Sequence, residues 1–428
     1  MKNKTKYQTA GNMAVFITII AIAGLLMSTC VFSTASNTTM PVQQIPTPTT
    51  TTTIETTETT VTETAITETT AVTPVITGPL PDPTKWTAAE TSTIFGSPTE
   101  RPTTHTPNSV HAVAFGNGRF VAVGDRGKIA YSEDGVKWTA VVNNTFEDKN
   151  ILSIAFGGGK FVAVGMQGKM AYSIDGLTWT AVNDNTFSPY VILDIAYGNG
   201  KFIAIGGARQ ISASTDGITW TVVNNTLFAG GFAPLSFVTY GNRGFVIGRS
   251  NITCAACHPH MGHSTDGITW TGVPNDVFNL RGNGIFNAAY GDNKYIAIGG
   301  TGSGASPNSG KGIITQSADG INWTEVSARD VFGTEPIYAI AYGGGYFVAA
   351  GGEIGSDYNT IKGIGFSADG ITWTAINSSA FTENDLVRNI AYGNGRFVIV
   401  GDAYTRVGNN PMRTWFGRIW YSDTIPVN

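Results

Sequence analysis

The sequence predicts an all-β fold, a seven-bladed β-propeller, and three observations support this prediction. A unit of four short β-rich runs recurs along the chain, and its tryptophan returns at spacings of 41 to 53 residues. Glycine fills 53 positions, which suits a fold with many tight turns. Charged residues are only 13% of the chain, and this composition excludes a coiled coil, a helical solenoid and a charge-rich disordered chain.

The repeating unit is seen first in residues 113–124 and 128–139. The next five units carry a tryptophan at the position of Trp138, namely Trp179, Trp220, Trp270, Trp323 and Trp373. Gly116-Asn117-Gly118 separates the first two runs, and positive φ at the centre of a hairpin turn suits glycine and asparagine. Four antiparallel strands at this period are typical of propeller blades.

The seventh unit lacks its fourth strand, because it begins at Val387 and stops after Ser422-Asp423. The missing strand is predicted upstream, where Lys85-Trp86-Thr87 resembles Lys137-Trp138-Thr139. Phe95 follows this upstream tryptophan by nine residues, much as a phenylalanine follows the other tryptophans by eight or nine. We therefore expect the N-terminal strand to complete the last blade, which removes open sheet edges and favours a monomer.

Residues 1–35 have the pattern of an export signal. Three lysines within the first six residues precede an apolar run over residues 13–27, and small residues precede a cleavage position after Ala35. Two alternatives stay open, a lipoprotein-type box ending at Cys30 and an uncleaved membrane anchor. All three place the rest of the chain outside the cytoplasm, secreted or anchored at the cell surface, with membrane contact only through this segment.

Residues 36–84 have a different composition. Sixteen of the 27 residues from Thr47 to Thr73 are threonine, interleaved with glutamate. Such a segment buries no core, so we interpret it as a disordered stalk, either O-glycosylated or an unmodified spacer. The propeller is then predicted over residues 85–428.

Six units share a turn of the form Ser-x-Asp-Gly followed by tryptophan, as in Ser132-Glu133-Asp134-Gly135 with Trp138. These turns resemble the Asp-box, or BNR-like, repeats of sialidase-superfamily-type β-propellers, although they are one residue shorter between serine and tryptophan than the usual box. The resemblance covers residues 85–428. It implies a structural role in which the aspartate accepts backbone N–H bonds and the aromatic ring packs on the turn, so function is to be sought where the repeats differ.

The repeats differ in one type of loop, between the second and third strands. Units four to seven insert residues 249–259, 301–310, 353–362 and 402–416, which raises one side of one face. The opening positions of the first strands lie on that face and also break the repeat, at His111, Ala112, Asp194, Asn287, Tyr338, Arg388 and Asn389. These positions are predicted to ring the mouth of the central channel, or merely to solvate the strand ends.

This face is the predicted ligand-binding surface of a non-catalytic recognition or adhesion module for an extracellular glycan or protein. Aromatic rings and cations in the insertions suit a sugar or a polar protein surface. Alternatively, the aromatic residues merely pin the long loops to the scaffold. The predicted contact residues are Asp194, Tyr358, Arg388, Asn389, Tyr404, Arg406, Arg413 and Trp415.

An extracellular glycan-processing hydrolase is the alternative from another class. The arginine cluster and the Tyr and Glu pair of a sialidase are not recognisable, so no catalytic residue is assigned. The non-repeated acids are Glu353, Asp357, Glu383 and Asp402, and a glycosidase pair among them stays open because separation in sequence does not report separation in space. The net charge of −4 supplies no basic face for nucleic acid, which is not an expected partner.

The fourth insertion concentrates Cys254, Cys257, His258 and His260. C-x-x-C-H is the attachment pattern of c-type haem, and cysteine with histidine also suits a transition metal. A small disulfide or free thiols in a loop explain the same residues without a ligand. No other segment indicates a cofactor.

Overall fold

In a computed structural model, the described residues are 84–91, 94–96, 108–142, 145–183, 186–224, 226–228, 234–249, 260–274, 283–301, 312–333, 336–351, 363–382, 385–406 and 413–424. The predicted export signal and nearly all of the predicted stalk lie outside them. No helix in this part of the chain is long and apolar enough to span a membrane.

The described residues form seven four-stranded antiparallel sheets, and each sheet is one blade. Blade 1 contains β2 (Val110–Gly116), β3 (Arg119–Gly124), β4 (Ile129–Ser132) and β5 (Thr139–Val141); blade 2 contains β6 (Ile151–Gly157), β7 (Lys160–Gly165), β8 (Met170–Ser173) and β9 (Thr180–Ala181); blade 3 contains β10 (Ile192–Gly198), β11 (Lys201–Gly206), β12 (Ile211–Ser214) and β13 (Thr221–Val222).

Blades 4 to 6 repeat the order. Blade 4 contains β14 (Leu235–Gly241), β15 (Gly244–Arg249), β16 (Met261–Ser264) and β17 (Thr271–Gly272); blade 5 contains β18 (Asn283–Gly291), β19 (Lys294–Thr301), β20 (Gly312–Ser317) and β21 (Thr324–Val326); blade 6 contains β22 (Ile337–Gly343), β23 (Tyr346–Gly351), β24 (Gly363–Ser367) and β25 (Thr374–Ala375). One short helix, α1 (Arg329–Phe332), links blades 5 and 6, and three-residue 3-10 turns follow β3, β7 and β11.

The last blade joins the two ends of the propeller, as predicted. It contains β26 (Asp385–Gly393), β27 (Arg396–Arg406), β28 (Arg413–Ser422) and, as its outer strand, β1 (Trp86–Ala88). Trp86 pairs with Ser422, and the amide of Ala89 donates to the carbonyl of Ile419 at 2.8 Å. Phe95 is fully buried in the junction between the last blade and the first.

The hydrophobic core lies between the blades. Among the described residues there are seven buried clusters, and each joins side chains of two neighbouring blades. The second strands supply much of this core, as in β3, where residues 120–123 are fully buried. They are buried on both faces because each blade packs against a blade on either side, which explains their continuous apolar runs.

The first strand of each blade is its inner strand and contacts the first strands of the neighbouring blades. Each inner strand ends in a glycine that packs directly against an aromatic ring from the next blade. A methyl group at Gly198 would lie within bonding range of the Tyr240 ring, so only glycine fits there. The last contact, between Gly393 and Phe115, joins blade 7 to blade 1 and closes the circle. The seven contacts are Gly116–Phe156, Gly157–Tyr197, Gly198–Tyr240, Gly241–Tyr290, Gly291–Tyr342, Gly343–Tyr392 and Gly393–Phe115. We call them the glycine seats.

The Ser-x-Asp-Gly turns are local hydrogen-bonded units that also link the blades. In the third blade, Asp216 Oδ1 accepts the amides of Ile218 and Thr219, both at 2.8 Å, and the backbone N–H bond from Thr219 lowers the pKa of Asp216 to about 2. The ammonium of Lys160 in blade 2 donates to the Asp216 carbonyl at 2.7 Å. The repeated aspartates therefore serve the scaffold, which agrees with the structural role predicted for them.

The seventh insertion differs from the expected loop. Residues 402–406 continue β27, residues 413–416 begin β28, and the two segments pair as a hairpin from Asp402 opposite Gly417 to Arg406 opposite Arg413. Aromatic and β-branched residues in both arms favour this extension, because such residues are enriched in strands; they are Tyr404, Thr405, Thr414, Trp415 and Phe416. Most of the fourth, fifth and sixth insertions lie outside the described residues.

Candidate ligand-binding face

The two faces of the propeller carry different connections. On one face, Arg119 at the start of a second strand donates to the carbonyl of Asp175 in the Ser-x-Asp-Gly turn of blade 2, at 2.8 Å. On the other, the amide of Asp125 donates to the carbonyl of Ser109, at 3.0 Å, where a second strand ends beside the segment that enters the blade. We call these the turn face and the loop face. The insertions begin on the loop face, as predicted.

Each inner strand carries a β-bulge near the loop face, at the same place in all seven blades. The pairing with the second strand skips one residue there, for example His111 between Val110 and Ala112. The residue before each bulge is aliphatic and at most 3% exposed: Val110, Ile151, Ile192, Leu235, Ile285, Ile337 and Val387. A bulge re-aims a side chain relative to the regular pleat.

The skipped residues are half-buried in all seven blades and differ in chemistry from blade to blade. They are His111, Leu152, Leu193, Ser236, Phe286, Tyr338 and Arg388. We call this set the bulge ring. Two neighbouring members of the set are in contact: the aromatic rings of Phe286 in blade 5 and Tyr338 in blade 6 stack with centroids 5.1 Å apart.

Two adjacent members of the bulge ring, Arg388 and His111, are each paired with a buried carboxylate. In blade 7, Arg388 places Nε and Nη2 each 2.6 Å from Asp402 Oδ2. In blade 1, His111 Nε2 lies 2.7 Å from Asp125 Oδ1. The two pairs occupy equivalent positions of the repeat, so blades 7 and 1 form a charged sector beside the aromatic sector of blades 5 and 6.

Asp402 is the most deeply buried of these acids. Burial raises the pKa of its carboxyl group, and the Arg388 guanidinium opposes that shift. Its second oxygen, Oδ1, makes no hydrogen bond within the described residues. Asp402 therefore holds Arg388 in place. Its carboxyl group is too deeply buried to act as a glycosidase acid, which must reach a substrate.

Two of the residues that directly follow a bulge, Asp194 and Asn389, bond to neighbouring blades. Asp194 accepts the Ser153 hydroxyl from blade 2 at 2.6 Å and the Val238 amide from blade 4 at 2.8 Å, and burial raises its pKa to about 6. Asn389 of blade 7 accepts the Val113 amide of blade 1 at 3.2 Å. Both of these predicted contact residues directly follow a bulge near the loop face, and both hold blades together.

Comparison with known families assigns the sequence to a family. Residues 80–332 match the DUF6242 β-propeller domain. The chain belongs to this family. A comparison with curated protein sequences found no match.

Several solved propellers resemble this DUF6242 chain in fold. YCF48 from Cyanidioschyzon merolae is 15% identical with a TM-score of 0.52, covering 79% of this chain and 98% of its own. A structure of YCF48 bound to D1 peptide is 16% identical with a TM-score of 0.54, covering 82% and 100%. The WD40 domain of Neurospora crassa Pan2 is 8% identical with a TM-score of 0.51, covering 81% and 99%. At these identities the likeness shows the propeller fold alone.

The predicted contact residues of the insertions fall into three groups. Tyr404 lies in β27 and is only 2% exposed, so its ring packs inside the protein and the prediction of an accessible ring is wrong for this residue. Arg406, Arg413 and Trp415 lie in the paired arms of the hairpin, and their side chains lie outside the described residues. Tyr358 also lies outside them.

The predicted metal or haem ligands are mostly beyond what the structure describes. Cys254, Cys257 and His258 lie outside the described residues, as do Glu353, Asp357 and Glu383 among the predicted acids. His260 is buried, and its carbonyl accepts the amide of Arg249 at 3.1 Å. Within the described ranges no group of three metal-ligating side chains comes together. The metal and haem interpretations remain predictions.

Sequence reasoning missed four members of the bulge ring, Leu152, Leu193, Ser236 and Phe286. Leu193 and Phe286 directly precede Asp194 and Asn287, which were the residues predicted in blades 3 and 5. No residue was predicted at this place in blade 2 or blade 4. A signal for the bulge was present in the sequence. Every unit has an aliphatic residue directly before the bulge, and the alternation of buried and exposed residues skips one residue after it.

Proposed function

We propose that this chain is an exported, non-catalytic recognition module that binds an extracellular protein or glycan on its loop face. The bulge ring is the observation that carries the proposal. Its seven residues occupy the same position of the repeat, yet only the two leucines are of the same residue type. Positions that stabilise the scaffold carry the same kind of residue in every blade. Side chains that vary from blade to blade around the channel mouth are therefore available to bind a ligand.

The chemistry of the ring supports binding rather than a reaction. Among the described acids near the mouth, Asp125, Asp194 and Asp402 each accept hydrogen bonds or ion pairs from the protein itself. Their carboxylates are occupied in holding side chains and strands. A pair of free carboxylates, which glycoside hydrolysis uses, is not seen among the described residues of the mouth.

A solved propeller of similar fold has a peptide ligand, since YCF48 was determined bound to D1 peptide. That finding belongs to YCF48, and at 16% identity it does not identify a partner here. It does support the general proposal, because it illustrates that a propeller of this shape accommodates a peptide.

We further infer that the Ser-x-Asp-Gly turns are Asp boxes. In blade 1 the amides of Val136 and Lys137 donate to Asp134 Oδ1 at 2.8 and 2.9 Å, and the indole of Trp138 donates to the Gly135 carbonyl at 3.1 Å. A carboxylate that accepts two successive amides is typical of an Asx-type turn. This inference concerns the ancestry of the scaffold and assigns no activity.

Export and display are part of the same proposal. The lysine-rich start and the apolar run support export, and the threonine-rich segment supports a stalk that holds the propeller away from the cell surface. Closure of blade 7 by β1 supports a monomer, because it leaves no unpaired strand edge between the first and last blades. Fractionation and size-exclusion chromatography of the expressed protein test these two points.

Ligand capture on an array of glycans and extracellular matrix proteins tests the binding proposal. The ring variant is Phe286→Ala with Tyr338→Ala, and the matched control is Ile174→Ala with Ile268→Ala, two well-exposed residues of the turn face. We expect the ring variant to lose capture and the control to keep it. Capture lost in the control but kept in the ring variant would move the site to the turn face, and no capture by the wild-type protein would contradict the proposal.

A further inference from the structure

We infer that the charged and aromatic sectors of the bulge ring bind a peptide segment in which a carboxylate side chain adjoins an apolar side chain. This inference rests on the proposed function and deepens it, because it names the ligand class. The sectors are adjacent: blades 5, 6, 7 and 1 contribute Phe286, Tyr338, Arg388 and His111 in order around the ring.

Arg388 supplies the binding group for the carboxylate. Its Nε and Nη2 atoms contact Asp402 Oδ2, while Nη1 makes no hydrogen bond within the described residues. The side chain is 35% exposed and its partner is fully buried. The guanidinium is therefore fixed from behind and keeps a donor for a ligand, and arginine suits a planar carboxylate.

The rest of the ring has few polar groups to spare. His111 Nε2 is engaged with Asp125, which leaves only Nδ1 of that ring, and the Ser236 hydroxyl bonds the carbonyls of Gly248 and Ile285 at 3.3 and 3.1 Å. The Tyr338 hydroxyl is buried, so the exposed part of this residue is its ring.

This inventory favours a peptide over a glycan. A sugar exposes a hydroxyl at nearly every carbon, and a site that removes those hydroxyls from water must supply hydrogen bonds in return. The ring instead exposes apolar surface on Leu152, Leu193, Phe286 and Tyr338, with one cation that has a donor to spare. A short segment with apolar side chains and a single glutamate or aspartate matches both features.

Binding of labelled hexapeptides to the full chain tests the inference. The peptides carry a fluorophore and blocked ends, so that their only charge is a central glutamate beside Leu or Phe, and each has a twin with glutamine in place of glutamate. Fluorescence anisotropy measures the affinity. We expect glutamate peptides to bind about tenfold more tightly than their glutamine twins, since one charge-assisted hydrogen bond is removed.

The variant that removes the proposed anchor is Arg388→Met with Asp402→Asn. The second change prevents a buried carboxylate from losing its partner, which would destabilise the fold. The matched control, Arg243→Met, removes an exposed arginine from the turn face. We expect about a tenfold loss of affinity for glutamate peptides in the double variant, the glutamine twins to be unaffected, and less than a twofold change in the control.

The ligand-side comparison keeps the test decisive even if the double variant melts early, because it uses the unaltered protein. Equal affinity for glutamate and glutamine peptides, or no peptide binding, would overturn the inference. If the array yields a ligand whose capture is lost in the Phe286 and Tyr338 variant, but no glutamate peptide binds more tightly than its glutamine twin, the proposed recognition function stands and the peptide inference fails. If neither the array nor the peptides bind, both fail.

Discussion

The two ends of the inner strands follow opposite rules. At the turn face, every inner strand ends in a glycine seat, and the contact is repeated in all seven blades, with phenylalanine or tyrosine as the ring. At the loop face, every inner strand carries a bulge, and the residue there ranges from Leu193 to Arg388. A strand of seven to nine residues is thus constrained at one end and chemically free at the other.

The difference shows how a symmetric scaffold gains an asymmetric surface. Packing between neighbouring blades fixes the seat, because the same ring must fit the same glycine around the whole circle. The bulge breaks the pleat, so its side chain leaves the interblade core while the aliphatic residue before it stays fully buried. Ligand chemistry is therefore able to change without altering the core.

The largest effect is expected when the circle is opened. A chain that begins at Ser97 lacks β1 and Phe95, whereas a chain that begins at Pro81 keeps both. We expect the shorter chain to lose on the order of 5 kcal/mol or more of stability, because buried Trp86 and Phe95 are removed and the edge of β28 is exposed. Thermal melting by circular dichroism measures it. Equal melting temperatures would show that β1 does not close the propeller.

Disturbing one glycine seat is expected to cost less. Gly198→Ala forces a methyl group into the Tyr240 ring, and we expect a loss of about 3 kcal/mol from overpacking. Gly200→Ala is the matched control, because its Cβ meets no atom within 4 Å and only its positive φ is strained, at about 1 kcal/mol. Urea unfolding of both variants gives the difference. A control that costs as much as the seat variant would mean that interblade packing does not decide the loss.

Titration of Asp194 is expected to make the stability of the propeller depend on pH. Its carboxyl pKa is raised to about 6 from an ordinary 3.8, so the folded state disfavours the charged form. Its contribution to stability is fully present below about pH 4 and is lost as the pH rises through about 6, by up to about 3 kcal/mol. Asp194→Asn removes this component while keeping a side-chain acceptor for the Val238 amide.

Urea midpoints at about pH 4 and about pH 8 measure the effect. We expect the wild-type protein to lose stability between the two conditions relative to Asp194→Asn. The same pH dependence in both proteins would show that Asp194 titrates as it does in the unfolded chain.

The smallest effect is expected at the bulge ring itself. Leu193 is half-buried, so Leu193→Ala should cost less than about 1 kcal/mol, whereas its fully buried neighbour Ile192 should cost about 2 to 5 kcal/mol when changed to alanine. Denaturant unfolding of the two variants compares adjacent residues of one strand. Similar losses would contradict the claim that ring side chains are free of the core.

Periodic positions were predictable from the sequence because a ring of similar units buries similar residues. The strand of Trp86 was assigned to the last blade on its likeness to the strand of Trp138, and the pairing with Ser422 confirms it. The structural role of the repeated aspartates was also predictable, since six copies of one turn do not make six sites.

The bulge ring was only partly predictable, because a bulge changes which of two adjacent residues leaves the core. The predicted mouth residues mix the two positions: His111, Tyr338 and Arg388 lie in the bulge, whereas Asp194 and Asn389 follow it. Pairing with a neighbouring strand decides the matter, and that is a tertiary property. For the same reason, the extension of β27 and β28 through an insertion was not seen in the sequence.

Closure by β1 has a consequence for how the protein is made. The hydroxyl of Thr91 bonds the carbonyl of Gly417, 326 positions later in the chain, so β1 is synthesised long before the strand with which it pairs. Blades 1 to 6 each come from one continuous stretch and have their four strands as soon as that stretch is synthesised. Blade 7 alone needs both ends of the propeller. A translation product that stops before β28 therefore remains an open arc, however well its earlier blades have formed.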